Sequence, residues 1–264
     1  MIEIDDATAA AFLKCDRFRY LPELQAIECD MPQREIVPLT LYADSAEPTA
    51  VAVVQVFPED RVFAAVSNRQ TTFLAELLGK LAEMYTTFTL AGFDQQIIDD
   101  VRELRPDQTF GEAKCWRNFV CTSPDAVPPV IAPIRLLTPE DREMFDRYAL
   151  AVNLGRGHDD AFRCAVIDGG GLLFGVVEDG EITGHLWANR EYEDVWVIDL
   201  IEVREDHRGR GLGTQLAAAF AREVLGRGEI PDWGSAGNEA SERTAIKAGF
   251  TCCREYYCLP VTIP

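Results

Sequence analysis

The run Val195-Trp196-Val197-Ile198-Asp199-Leu200-Ile201-Glu202-Val203 enters a turn with glycines at 209, 211 and 213, and an alanine- and leucine-rich stretch, 212–226, leaves it. β-Branched and aromatic residues favour a strand, and Ala, Leu and Gln favour a helix, so the chain passes from strand to helix through one tight glycine turn. That succession commits the segment to a layered α/β fold. It also creates an anion site, because glycines let successive backbone N–H groups point inward at the positive end of the next helix. Arg208, Gly209, Arg210, Gly211, Leu212, Gly213 and Thr214 are the candidate phosphate-binding residues, and the two arginines add positive charge. Other phosphate motifs fit less well. A P-loop needs a lysine that is missing here, and the dinucleotide fingerprint needs glycine where Thr214 stands. Gly169-Gly170-Gly171 comes after a strand-like Arg163–Asp168 but leads into a hairpin, so it reads as a turn.

The composition shifts once along the chain, at residues 122–141, where four prolines fall within 124–133 and preclude a helix. This stretch reads as a linker between two units, 1–130 and 131–264. Beyond it, Thr138-Pro139-Glu140-Asp141 has the cap, the first-turn proline and the acid of a capping box. Residues 172–177 and 182–188 flank Glu178-Asp179-Gly180-Glu181 as a hairpin. After the 212–226 helix come a short strand (232–236), a helix (238–249) and a last strand (250–259). The first half has the same order: strands 50–57 and 61–67, helix 73–85, strand 87–93 and helix 95–104. Its ending, Trp116–Cys121, even resembles Cys253–Cys258. The expected fold is therefore mixed α/β in two tandem units, the first a degenerate copy of the second. Only the second has the glycine turn; the first passes from Val66 straight to its helix.

Acidic residues outnumber basic ones 44 to 25, for a net charge of −19. Such a surface repels phosphate backbones and anionic lipid, which argues against nucleic-acid and membrane partners. No apolar run approaches the roughly 20 residues that span a bilayer. An acid-rich start without a signal-peptide pattern leads us to expect a cytoplasmic protein. The eight cysteines include no CxxC pair and the three histidines no HxxxH pair, so metal sites and a disulfide scaffold are not expected.

The glycine turn and the helix–strand segment near the carboxyl end resemble those of the GCN5-related N-acetyltransferases (GNAT). Arg208-x-x-Gly211-x-Gly213 fits the family's acyl-CoA signature Gln/Arg-x-x-Gly-x-Gly/Ala, and Asn238-Glu239-Ala240-Ser241 with Lys247-Ala248-Gly249-Phe250 is similar to its asparagine-to-Gly-Phe helix. The resemblance covers about residues 134–259, and Trp233, the Asn238–Phe250 run and Tyr256-Tyr257 also resemble a bacterial branch with an added N-terminal domain. It implies that acetyl-CoA is the cosubstrate. The strand ending at Val203 would pair with the pantetheine arm, residues 208–214 would hold the pyrophosphate, and Asn238 would position the thioester end. The acceptor implied is an amine, on a small molecule or a protein. Many members carry a tyrosine seven residues after the asparagine to protonate the leaving thiolate, and here that residue is Ala245. Tyr256 and Tyr257 on the last strand are candidate replacements. For the base that deprotonates the amine, Asp199 is first choice: strict alternation puts it on the face of Ile201 and Val203. Glu202, expected on the opposite face, is second, and His185 acting through water is third. His158-Asp159-Asp160 stand in a segment that often gates substrate in such enzymes, but a solvated loop is the reading expected there. Ala245 also leaves open a non-catalytic module that binds acetyl-CoA or a partner.

Overall fold

The computed structural model of the chain describes residues 1–28, 36–92, 95–153 and 161–264. The first half contains β1 (Ile2–Glu3), α1 (Asp6–Leu13), α2 (Leu21–Glu28), β2 (Leu39–Ala43), β3 (Val51–Phe57), β4 (Arg61–Val66), α3 (Thr71–Met84), β5 (Thr87–Gly92), α4 (Gln95–Leu104), β6 (Thr109–Phe110) and β7 (Lys114–Val120). The second contains β8 (Ile134–Leu136), α5 (Arg142–Ala151), β9 (Gly171–Glu178), β10 (Glu181–Tyr192), β11 (Val195–Val203), α6 (Leu212–Gly226), β12 (Ile230–Ser235), α7 (Glu239–Lys247) and β13 (Thr251–Thr262). His158 lies outside the described residues.

Two compact units emerge: Met1–Arg117 together with Cys253–Pro264, and Asn118–Cys252. The expected boundary at residue 130 thus meets a chain whose proline-rich segment belongs to the second unit and whose last strand is counted with the first. In the first unit β2, β3 and β4 form an antiparallel meander, β5 joins β4 in parallel, and β13 lies antiparallel to β5. In the second, β8 to β11 form the meander and β12 joins β11 in parallel. Each parallel step is made through a helix, α3 or α6, as a crossover requires.

Local sequence explains most of these elements. Asp179 (φ 51°) and Gly180 (φ 79°) supply the two left-handed residues that a tight β9–β10 hairpin turn needs. The Thr138–Asp141 capping box is present, and Arg135 reinforces it with two 2.6 Å hydrogen bonds to the Asp141 carboxylate, whose pKa falls to about 2. Arg163–Ile167, expected as strand-like, is instead a π-helical turn closed by Asp168 N–H donating to the Arg163 carbonyl at 2.8 Å. A four-residue apolar run, Cys164–Ile167, has no periodicity long enough to distinguish the two. Nor is the proline-rich segment a slack tether. The Gln215 side chain accepts from Ile131 N–H (2.7 Å) and donates to the Pro129 carbonyl (3.1 Å), and Arg222 donates to the Val127 carbonyl (2.8 Å). These bonds fasten it along α6.

The sheet of the second unit carries a core on each face. On one side Leu216, Ala217, Ala218, Phe220 and Ala221 of α6, all wholly buried, pack on Leu186, Ala188, Trp196 and Ile198. The alanines let the helix lie close to the strands. On the other side Phe145 and Tyr148 of α5 pack with Phe162, Leu173 and Ile182. Truncating a buried leucine such as Leu216 in a core of this kind costs about 2–5 kcal/mol.

Candidate active site

β11 and β12 run together only at their beginnings, with Val195–Val197 paired to Ile230–Asp232. From Ile198 onward β11 keeps its antiparallel partner β10, while its other edge borders a cleft of about 550 Å³. Arg204 N–H donates to the Thr183 carbonyl at 3.0 Å. Antiparallel alternation then turns the N–H and C=O groups of Ile201 and Val203 away from β10, toward the cleft. The strand therefore presents backbone donors and acceptors to anything extended laid beside it. The equivalent step in the first unit is shut: β4 and β5 stay paired up to Val66 and Gly92, the end that leads toward α3.

A β-bulge in β11 corrects the expected facing of its carboxylates. Leu200 opposes Trp187 and Ile198 opposes Ala188, which leaves Asp199 as the extra residue. Trp196 and Ile198 face the α6 core before the bulge, and Ile201 and Val203 pack against the same core after it. Asp199 is therefore not on the face of Ile201 and Val203; it shares the opposite face with Glu202. Asn189 of β10 donates to the Asp199 carboxylate at 2.6 Å. Asp199 is exposed on the cleft wall, yet partial desolvation and, next, the Glu191 carboxylate raise its pKa to about 6, against the opposing pull of Asn189. A carboxylate with that pKa can exchange protons near neutrality.

The glycine turn forms the adjoining part of the same groove, a space of about 350 Å³ lined by Val203, Arg208, Gly209, Gly211, Leu212, Gly213 and Thr214 among others. Gly209 and Gly211 both take φ 78°, a conformation costly for any residue with a Cβ. Gly211 is the N-cap of α6, and no side chain caps it; the first intrahelical bond runs from Gln215 N–H to the Gly211 carbonyl. The N–H groups of Leu212, Gly213 and Thr214 thus stand as donors at the positive helix end, ready for an anion. Arg208 reaches back to the Val203 carbonyl (3.0 Å) and the Glu202 carboxylate (2.6 Å), bracing the strand end. Arg210 makes a two-pronged ion pair with Glu178 (2.6 and 2.9 Å) and lines neither part of the groove.

α7 closes the groove opposite β11. The Asn238 side-chain oxygen caps it, accepting from the N–H groups of Ala240 (3.1 Å) and Ser241 (3.2 Å), so its amide nitrogen is the part left to donate to a ligand. Trp233 of β12 donates to the Ser241 hydroxyl at 3.0 Å and packs edge-on against Phe250, fixing the helix. Asp199, Glu202, Val203, Arg208, Gly213 and Asn238 all border the larger cleft. The other wall residues, Ala240, Ser241, Arg243, Thr244 and Lys247, were not anticipated, although helical spacing from Asn238 puts them on one face. Ala245 faces the core and is wholly buried. His185 is buried behind β11, its Nδ1 3.0 Å from the Tyr148 hydroxyl, which donates to the Glu202 carbonyl at 2.9 Å. Burial lowers its pKa to about 4. Tyr256 belongs to the first unit, stacked on Trp116 with the Arg254 guanidinium 4.1 Å from its ring centroid.

A strand parting from its parallel neighbour beside an uncapped glycine turn is the arrangement the sequence motif requires, and residues 135–250 match the acetyltransferase (GNAT) family. Residues 135–250 thus carry a GNAT-superfamily domain. Solved structures place the whole chain in the same fold. A GNAT protein from Sphaerobacter thermophilus matches at 16% identity over 98% of this chain and 91% of that one, with a TM-score of 0.63. A tandem GNAT protein from the clavulanic acid biosynthesis pathway matches at 15% identity over 100% and 98%, with a TM-score of 0.59. A Drosophila protein matches at 17% identity over 99% and 98%, with a TM-score of 0.62. At these identities the likeness concerns fold alone. No curated protein matches the sequence. Among the described residues no helix is long and apolar enough to cross a membrane, and no cluster of side chains could hold a metal ion.

Proposed function

We propose that the chain is an acetyl-CoA-dependent N-acetyltransferase that acts on an amine by direct transfer, with its one cofactor site in the GNAT unit. The parting of β11 from β12 beside the glycine turn carries this reading. The pantetheine amides pair with the open edge of Ile201 and Val203, and the pyrophosphate sits on the N–H groups around Gly211–Thr214. Asn238 donates from the far wall. Asp199 takes the proton of the acceptor ammonium. The neutral nitrogen then attacks the thioester carbon, a C–N bond forms, the C–S bond breaks, the nitrogen gives its second proton to water, and the thiolate departs. A backbone N–H at the end of β11 stabilises the carbonyl oxygen as charge develops. A thiol has a pKa of about 8.5, so its anion leaves without a dedicated acid and takes a proton from solvent. The first unit acts as a degenerate GNAT-like partner without a cofactor site.

Ala245 favours a second reading, in which the groove binds acetyl-CoA but does not turn it over. Calorimetry with acetyl-CoA, then a free-thiol assay over a panel of amines, separates the two. Binding with thiol release supports the transferase, binding with none supports the module, and absence of binding removes both.

A further inference from the structure

Asp199 is the extra residue of a bulge, so no cross-strand partner sets the direction of its side chain. Asn189 sets it instead: its Nδ2 donates to Oδ2 at 2.6 Å, while Oδ1 has no hydrogen bond among the described residues. Asn189 is itself placed by a glycine. Gly171, the last of the three consecutive glycines and the first residue of β9, lies opposite it in the β9–β10 register. A Cβ at 171 would stand 2.8 Å from the Asn189 Oδ1, 3.0 Å from the Ala188 carbonyl oxygen and 3.1 Å from the Ala165 Cβ. The last two belong to a strand backbone and to the π-helical turn, and neither yields easily. The amide, at the end of a rotatable side chain, does. Unlike Gly169 (φ 69°), Gly171 has no left-handed backbone to require a glycine. Its missing side chain is room for the amide.

We infer that Asn189, seated over Gly171, is the positioning residue of the base: it holds Oδ2 of Asp199 and leaves Oδ1 to take the ammonium proton. This rests on the proposed transfer with Asp199 as base. The bond also stabilises the ionised carboxylate, because the amide N–H donates to its charge. It opposes partial desolvation and Glu191, two residues along β10, both of which favour the protonated form. Glu202 is the other acid on this face, and Arg208 pairs with it at 2.6 Å. The α7 residues that border the cleft together with Asn238, namely Ala240, Ser241 and Thr244, carry no charge. Without the amide, Asp199 would keep its proton to higher pH and lose its fixed direction.

NMR of the full-length protein, isotope-labelled at the aspartate carboxyl carbons, follows this group without any substrate; its signal is the one missing from Asp199→Asn. Asn189→Leu keeps the shape of the side chain and removes the donor. The Asp199 midpoint should then rise, by roughly two- to ten-fold in proton affinity for one lost hydrogen bond. Gly171→Ala should raise it as well by pushing the amide aside, and should add nothing when combined with Asn189→Leu. In the thiol-release assay, with acetyl-CoA and the amine of the panel that releases thiol fastest, the acid limb of kcat/KM should move up in step. An unchanged midpoint in Asn189→Leu overturns the assignment while sparing the transferase reading. A Gly171→Ala effect that persists undiminished in the double variant overturns the part given to the glycine. If Gly171→Ala does not fold, the Asn189→Leu midpoint still decides. A raised midpoint in a protein that acetylates no amine overturns the transferase reading and, with it, the role of Asn189 toward a base.

Discussion

Replacing Asp199 with asparagine tests the chemistry most directly. Asparagine keeps the shape and can still accept the hydrogen bond from Asn189, but it cannot take a proton. A general base contributes about 10²–10⁴-fold, or about 2.7–5.4 kcal/mol of barrier, so kcat should fall by that order while acetyl-CoA affinity holds. The pH profile gives a sharper readout. With Asp199 titrating at about 6, roughly ten-elevenths of it is ionised at pH 7 and one-eleventh at pH 5, so kcat/KM should drop about ten-fold between them. The variant should lose that acid limb, and its residual activity should climb with pH as free amine accumulates. Stability should move the other way. A carboxylate raised from 3.8 to about 6 is protonated more readily folded than unfolded, so its contribution weakens as pH rises through that window, and its ionised form works against folding above it. Asp199→Asn should therefore melt no lower than wild type at pH 8. A native rate, or an acid limb near 6 that survives in the variant, refutes Asp199 as the base; a lowered melting temperature at pH 8 would instead mark it as structural.

Other perturbations address the groove and the fold. Gly211→Val sets a β-branched residue at φ 78° and crowds the phosphate approach, so CoA should bind ten-fold or more weakly, about 1.4 kcal/mol, in calorimetry. Titration of the full-length protein should give one acetyl-CoA per chain; two would mean that the closed β4–β5 step opens. Within the first unit, Glu23→Gln leaves buried Arg254 without its two-pronged partner (2.8 and 3.0 Å). Removing one member of such a pair costs about 3–5 kcal/mol, which chemical denaturation would register.

How far the sequence reaches depends on the range of the forces involved. The glycine turn and the Thr138–Asp141 capping box are local events between residues a few positions apart, and each is present where the pattern puts it. The β11 range comes from its own β-branched run. The bulge at Asp199 does not, because it arises from how β10 and β11 register, and one extra residue reverses which carboxylates share a face. Arg210 has the position of a phosphate ligand along the chain, but Glu178, 32 residues earlier, claims it across the hairpin. The Asn189–Asp199 bond, between residues ten positions apart on paired strands, is hidden because it too depends on the β10–β11 register. Helices α1 and α2 leave little trace in the sequence because short polar-flanked segments acquire their stability from packing, in this case around Leu13, Leu21 and Leu24, all buried.

The pairing of β13 with β5 bears on synthesis. Tyr257 sits opposite Gly92, about 165 residues later in the chain, so at about 5–20 residues per second the edge of β5 waits roughly ten to thirty seconds on the ribosome for its partner. An unpaired strand edge is a site for wrong pairing throughout that time. The half that is translated first is therefore finished after the half translated second, and a nonsense codon late in the message would damage the amino-terminal unit, leaving the glycine turn and its helix already made.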